Sequence, residues 1–271
     1  PIFTGRNFYQ FSYDPTFFDD LEPVFQWGID EEKDPDKSAK RRIREKQVRK
    51  LKDAVYTKFD GTGSKKGFVN ELLQQHRGKD LNIDDVRLDA TEYRIGFRRV
   101  SNSTNERTLI ASLVSTTGVC DYSFYILRPF EIDPSPEDLK KDTLKDAYKR
   151  IFTDRELCVT VGLLNSIPFD FLMRRKVDNS IPMYSFNETQ VPHLTEEDDW
   201  FNYIAERAAQ LNCYGEAFAN LRQRLGGVEP TTKMAERKEL QAEIDAAACL
   251  AYGLTRDDVE FVLDNFHRVE S

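Results

Sequence analysis

The side chains best suited to chemistry lie in one short polar segment between two apolar runs of the chain. The segment combines arginines with short amides and hydroxyls: Arg98, Arg99, Asn102, Ser103, Thr104, Asn105 and Arg107. Arginine binds phosphate or reads guanine through two hydrogen bonds, asparagine reads adenine, and serine or threonine holds phosphate. A turn of this composition between two strands can therefore enter a DNA groove. The alternative is a polar hairpin whose Asn and Ser side chains bond their own backbone.

Other polar side chains stand out at the edges of apolar segments, in three groups. They are Arg6 and Gln10 in the opening segment, Asn165 and Ser166 inside an apolar helical run, and Arg174, Arg175 and Lys176 after that run. All of them are candidates for contact with bases or phosphates. Each group also has a structural alternative. Arg6 and Gln10 could lie on the exposed face of a strand. Asn165 and Ser166 could form buried hydrogen bonds between a helix and the sheet. Arg174, Arg175 and Lys176 could provide favourable positive charge at a helix C-terminus.

Catalytic signatures are weak. The sequence has no phosphate-binding P-loop, no GxSxG motif and no Pro-Pro pair, and its three histidines are widely spaced. Phe59–Gly63 matches the FxGxG loop that holds S-adenosylmethionine in methyltransferases. Because this segment follows a basic amphipathic helix and not a buried strand, we predict a helix-terminating turn there.

A nuclease signature can be drawn through Asp19, Glu31 and Lys33, but it lacks the apolar strand that would hold both acids on one metal. With 32% charged residues, such matches arise by chance. The four cysteines form no CxxC pair, which predicts buried, reduced thiols and a reducing cytoplasm. We therefore predict neither catalytic residues nor a metal site in this chain.

Charge is distributed unevenly along the 271 residues, whose net charge is −8. Residues 37–58 contain ten Lys and Arg against Glu45 and Asp53, a local charge of +8, so the remainder carries −16. A basic face on an acidic body is compatible with DNA binding, and equally with an ordinary solvated helix. The absence of an 18-residue apolar run predicts no membrane partner. The start without Met or a signal peptide predicts a fragment of a longer, cytoplasmic chain.

Hydrophobic periodicity predicts the elements that position these residues. Helices are expected at 37–59, 67–76, 136–152 and 156–177, and throughout the chain after 195. The opening segment 1–13 reads as extended, and strands at 93–100, 107–115 and 120–127 suit an antiparallel meander. The expected fold is α+β, with a small, mainly antiparallel or mixed sheet, flanking helices and a C-terminal helical unit. We predict a recognition domain at 1–194 and the helical unit at 195–271.

Four segments, in order, resemble one protein family. They are PIFTGRNFYQF at 1–11, YRIGFRRVSNSTNERT at 93–108, LLNS with FDF and RRK at 163–176, and LAYGLT with VEFVL at 250–263. Within them, Thr104–Thr108 fits a T-N-x-R-T pattern, and Asn165–Arg174 fits N-S-x-x-x-D-x-x-x-R. Together they resemble the C-terminal target-recognition region of N6-adenine DNA methyltransferases from restriction–modification and phage-exclusion systems. The methyltransferase core of that family is missing, and the basic helix at 37–59 has no counterpart in it.

The resemblance implies a DNA sequence-recognition fragment that binds double-stranded DNA and has no activity or cofactor of its own. The parent would be an adenine-specific methyltransferase with an upstream catalytic domain, S-adenosylmethionine as methyl donor and a flipped target adenine. Two alternatives remain open. One is a protein-interaction module whose acidic C-terminal helices dock a partner, and the other is a stand-alone metal-dependent nuclease.

Overall fold

The protein is described by a computed structural model that covers residues 2–3, 10–11, 39–116, 119–120 and 122–267. These residues form an α+β fold of short strands and longer helices. The strands are β1 Ile2–Phe3, β2 Arg94–Arg98, β3 Ala111–Val114, β4 Val119–Cys120, β5 Phe124–Leu127, β6 Phe130–Ile132 and β7 Tyr148–Arg150. The helices are α1 Ala39–Lys58, α2 Lys65–Arg77, α3 Asp154–Leu164, α4 Ile167–Arg174, α5 Met183–Asn187, α6 Asp199–Asn212, α7 Ala219–Arg224, α8 Met234–Ala251 and α9 Arg256–His267.

The chain forms two compact units. The smaller contains the described residues of Phe25–Glu92 and Arg128–Ile151, and the larger contains those of Ile2–Val24, Tyr93–Leu127 and Phe152–Ser271. This division does not follow the predicted boundary at residue 194. Residues before 194 contribute to both units, and the helices after 194 share one hydrophobic core with the strands and helices before it.

In the smaller unit, α1 and α2 pack through fully buried Leu51, Val55, Val69 and Leu73. The helix predicted at 37–59 is confirmed as α1, and the one at 67–76 as α2. The FxGxG segment is the predicted turn, since the Gly61 amide donates to the carbonyl of the preceding turn of α1 at 2.9 Å.

The helix predicted at 136–152 is wrong. That segment forms two 3-10 turns followed by β7, which pairs with β6 in an antiparallel ribbon. Ser135 and Asp138 exchange the hydrogen bonds of a capping box, which begins a helical turn. The helix does not continue because the Leu144 amide donates to the Asp85 carboxylate at 3.1 Å and residues 148–150 pair with β6. Leu139, Leu144 and Ala147 of this segment are buried, whereas Ile151 is exposed.

In the larger unit, the three predicted strands are confirmed and antiparallel, but they do not form a sequential meander. β2 is central, with β3 on one side and β5 on the other. Two buried asparagines at helix ends bond the outer edge of β3. Asn212 accepts from the Leu113 amide at 3.0 Å, and Asn165 accepts from the Ala111 amide at 3.0 Å. β1 pairs with β4 in a separate parallel ribbon.

Helices cover this sheet and enclose the main core. The run predicted at 156–177 is two helices, α3 and α4, which separate at Asn165 and Ser166, and Pro168 lies in the first turn of α4. α3 packs closely on α6, since a Cβ on Gly162 would lie 2.5 Å from Ile204. Among the described residues, no single helix has the length and apolar composition to cross a membrane. The pair α3 and α4 reaches that length and composition when the two helices are taken together, but the chain bends by 57° between them.

Asp138 makes the stability of the smaller unit dependent on acid. Burial raises the pKa of this carboxyl, but hydrogen bonds from Ser135, Lys149 and Lys141 outweigh burial and hold the pKa below its ordinary value. An unfolded Asp binds a proton near pH 4, at roughly its model-peptide pKa, while the folded one stays ionised. We therefore expect the unit to lose stability as pH falls below about 4.

Asp138→Asn should weaken that dependence, as measured by denaturant midpoints between about pH 2 and pH 6. Asp142→Asn, at an exposed position in the same unit, serves as the control. An acid dependence equal to that of the unsubstituted chain would show that Asp138 does not set it.

Candidate nucleic-acid interface

The polar turn, residues 101–108, connects β2 to the segment that leads into β3, and it is partly closed by its own hydrogen bonds. The Asn102 carboxamide oxygen accepts from the Thr104 amide at 2.9 Å and from the Thr104 hydroxyl at 3.0 Å. The Asn105 amide donates to the Asn102 carbonyl at 3.1 Å, and the Ser101 hydroxyl donates to the Thr108 carbonyl. The Ser103 hydroxyl lies 3.5 Å from the Asn102 oxygen. The structural alternative therefore accounts for Asn102 and Thr104.

The inner side of the polar turn is bonded to α4 through Asp170. This buried carboxylate accepts from the Thr108 amide at 2.8 Å and from the Leu109 amide at 2.7 Å. Arg174, one helical turn later, lies 3.2 Å from the same carboxylate and donates to the carbonyls of Asn105 (2.9 Å) and Glu106 (2.8 Å). The T-N-x-R-T segment and the D-x-x-x-R segment thus meet in space, and Arg174 stabilises the turn from inside.

A second buried carboxylate extends this network. Asp245 of α8 pairs with Arg107 at 3.2 Å and accepts from the Ile167 amide, at the start of α4, at 2.7 Å. Burial is the largest influence on both Asp170 and Asp245 and raises the pKa of each, against the nearby charge of Arg107. Because removal of one partner from such a buried pair leaves an uncompensated charge, single substitutions here are strongly destabilising.

Asn165, Ser166 and Gln10 also have partners inside the protein. The Asn165 amide nitrogen donates to the carbonyls of Ala111 (2.9 Å) and Val161 (3.0 Å), and the Ser166 hydroxyl donates to Leu163 at 2.6 Å. Gln10 donates to the Asn165 carbonyl at 3.2 Å. The geometry favours the structural alternative for Asn165 and Ser166, which are buried.

Three of the predicted DNA-contacting residues remain exposed, and the polar atoms of their side chains have no bonding partner among the described residues. They are Arg99, Asn105 and Arg175. The Arg99 guanidinium lies over the ring of Tyr125 at 5.9 Å, and that of Arg175 over Phe171 at 5.0 Å, so an aromatic ring supports each cation. The exposed Asn105 carboxamide keeps both its donor and its acceptor available.

The other predicted residues are less available or lie outside the described part. Lys176 donates to the Glu188 carbonyl at 3.2 Å, and Arg98 is half-buried at the end of β2. Arg6 lies outside the described residues, as do Asp19, Glu31 and Lys33. In the described ranges, no group of three His, Cys, Asp or Glu side chains could hold a metal.

Two features near the polar turn were missed by sequence reasoning. The Ile181 amide donates to the Arg99 carbonyl at 2.8 Å, and Ser180 forms a β-bridge with Val100, so the segment after α4 lies beside Arg99. Asp245 carried no sequence signal, since its partner Arg107 lies 138 residues away. Asp170, in contrast, lies in a segment that the family resemblance had already marked.

Asp170→Ala should loosen the polar turn, because two buried backbone amides would lose their acceptor, at a cost of about 1–3 kcal/mol each. We expect a lower denaturant midpoint and faster hydrogen exchange at the amides of Thr108 and Leu109. Asp178→Ala is a matched control at an exposed acid in the same unit. If the Thr108 and Leu109 amides exchange at the same rate in Asp170→Ala as in the control, Asp170 does not hold the polar turn.

Comparison with known proteins places the chain in no established family. No protein-family model matches the sequence, and no curated protein matches it. Among solved structures, the chain is similar to the Type IIL restriction-modification enzyme MmeI, determined in complex with DNA, at 15% identity and a TM-score of 0.36. The match covers 66% of this chain and 21% of that one, so the chain spans about a fifth of that enzyme's length. At so distant a likeness, we base the function on this chain's own residues.

Proposed function

We propose that this chain is the DNA target-recognition fragment of an N6-adenine DNA methyltransferase from a restriction–modification or phage-defence system. The observation that carries the proposal is the polar turn held by α4. Asp170 and Arg174 bond its backbone from the inside, and Asn105 points its free carboxamide outward.

This arrangement suits sequence readout because a base-reading side chain needs a backbone that does not move on binding. The exposed Asn105 has the donor and acceptor pair that recognises adenine in the major groove, and Arg99 has the paired donors that recognise guanine. The neighbouring Glu106, also exposed, can accept from cytosine. Arg175, on the helix that supports the turn, suits a phosphate contact that fixes register.

The parent protein would supply the remaining chemistry. An upstream catalytic domain would bind S-adenosylmethionine and methylate a flipped adenine in the cytoplasm, while this fragment provides sequence choice and has no activity alone. The family resemblance supports this division of labour, since its four segments span the chain and contain no methyltransferase core.

A second candidate function is protein interaction through the C-terminal helices. Leu250 of α8 and Phe261 of α9 are more than half exposed, at 54% and 57%, on helices rich in acidic residues. Exposed apolar side chains of this size suit a protein partner. Such a module would not depend on Asn105 or Arg99.

The test is selection of the unsubstituted chain on a random duplex pool, with sequencing of the bound fraction at two salt concentrations. We expect salt-sensitive binding and one enriched short motif. Salt-sensitive binding without enrichment would contradict sequence recognition and leave only phosphate contacts. No binding, even at low salt and with the catalytic half restored, would favour the protein-interaction candidate.

A further inference from the structure

The smaller unit carries a second positive surface, separate from the polar turn. Lys46, Arg49 and Lys50, which we call the α1 cation cluster, are exposed on α1. Residues three and four apart lie on the same face of a helix, so the three side chains project together. The opposite face contains buried Leu51 and Val55, which fix the orientation of α1 within its unit.

Within the described part of the chain, the α1 cation cluster has no ion-pair partner. Among the described residues, no acceptor lies within ion-pairing distance of Lys46, Arg49 or Lys50. Two acids lie four residues from Arg49 on α1, Glu45 and Asp53. Asp53 is paired with Lys65 at 2.6 Å, Lys65 also lies over the Tyr56 ring, and Glu45 forms no ion pair with the cluster. In a chain of net charge −8, three neighbouring cations with no acidic partner among the described residues are a local excess that favours a polyanion.

We infer that the α1 cation cluster binds the phosphate backbone of duplex DNA without reading its sequence. This inference rests on the proposed function for the DNA partner, but it assigns a different surface and a different role. The cluster spans about 6 Å of helix axis, at a rise of roughly 1.5 Å per residue. Duplex DNA presents a charge about every 1.7 Å along its axis, so three phosphates lie within reach of these side chains.

The composition of this face favours duplex DNA over other polyanions. Among its described residues, this face has no exposed aromatic side chain on which an unpaired base could stack, as single-strand binding requires. The same described residues include no exposed large apolar side chain of the kind that inserts into a membrane surface. Charge without apolar or aromatic groups fits the backbone of a duplex.

The test compares two triple variants of the full chain with equal net charge. Lys46→Gln, Arg49→Gln and Lys50→Gln remove the cluster, and glutamine keeps a helix propensity close to that of lysine. The control removes three exposed cations elsewhere, through Lys145→Gln, Lys238→Gln and Arg256→Gln. Both change the net charge from −8 to −11, so the two variants lose equal charge at different places. Of the six cations, only Arg256 has an ion-pair partner among the described residues, the exposed Glu260. Circular dichroism establishes that both variants fold.

The readout is the slope of log affinity against log salt on duplex DNA. Each phosphate contact contributes roughly 0.9 to the magnitude of the slope, so we expect the slope of the cluster variant to be smaller by about 2 to 3. The control should keep the slope of the unsubstituted chain. The motif enriched from a random pool should stay the same in the cluster variant.

The possible failures are distinguishable. Equal slopes in the two triple variants would overturn the inference and leave sequence recognition intact. A reduced slope in a chain that enriches no motif would support the inference and contradict the proposed function. A third outcome is that the cluster variant, but not the control, loses binding to phosphatidylserine vesicles while its salt slope on duplex DNA is unchanged. That outcome would overturn the inference in favour of a lipid surface.

Discussion

The larger unit depends on one constraint. Buried backbone amides along β3 that no neighbouring strand bonds must find acceptors elsewhere. Among the described residues, no strand pairs with the outer edge of β3, and buried amides there must still find acceptors. Helix side chains supply them: Asn212 bonds Leu113, Asn165 bonds Ala111, and Asp170 bonds Thr108 and Leu109. One row of polar side chains therefore aligns α3, α4 and α6 with the sheet and continues into the polar turn.

This constraint separates the side chains that hold the polar turn from those on and beside it that stay exposed. Asn165, Asp170, Arg174 and Arg107 are occupied with internal partners, and their role is to hold the turn. Asn105 and Arg99 keep their polar groups exposed on a backbone that those partners stabilise. Strong sequence patterns such as N-S-x-x-x-D-x-x-x-R thus mark the support for a site, while the side chains that would distinguish one DNA sequence from another lie beside it.

Local elements could be predicted from the sequence, and long-range arrangement could not. Periodicity located α1 and the three strands, because burial of one face leaves a repeating pattern. The order of the sheet depends on the pairing of β2 with β5, which are not consecutive strands and which no local pattern links. The segment 136–152 has helical apolar spacing, yet the Leu144 amide bonds the distant Asp85 carboxylate and residues 148–150 pair with β6. The candidate site residues stay a prediction, and a list of polar residues does not show which of them, like Arg174, bond inward.

The most direct measurement compares Asn105→Ala with the unsubstituted chain on the selected duplex and on each single-base-pair change of it. If Asn105 reads a base, discrimination at one position should fall by about 1–3 kcal/mol, roughly 5- to 150-fold, while affinity for unrelated duplex stays the same. A uniform loss across all sequences, or no loss at any position, would contradict readout by the polar turn.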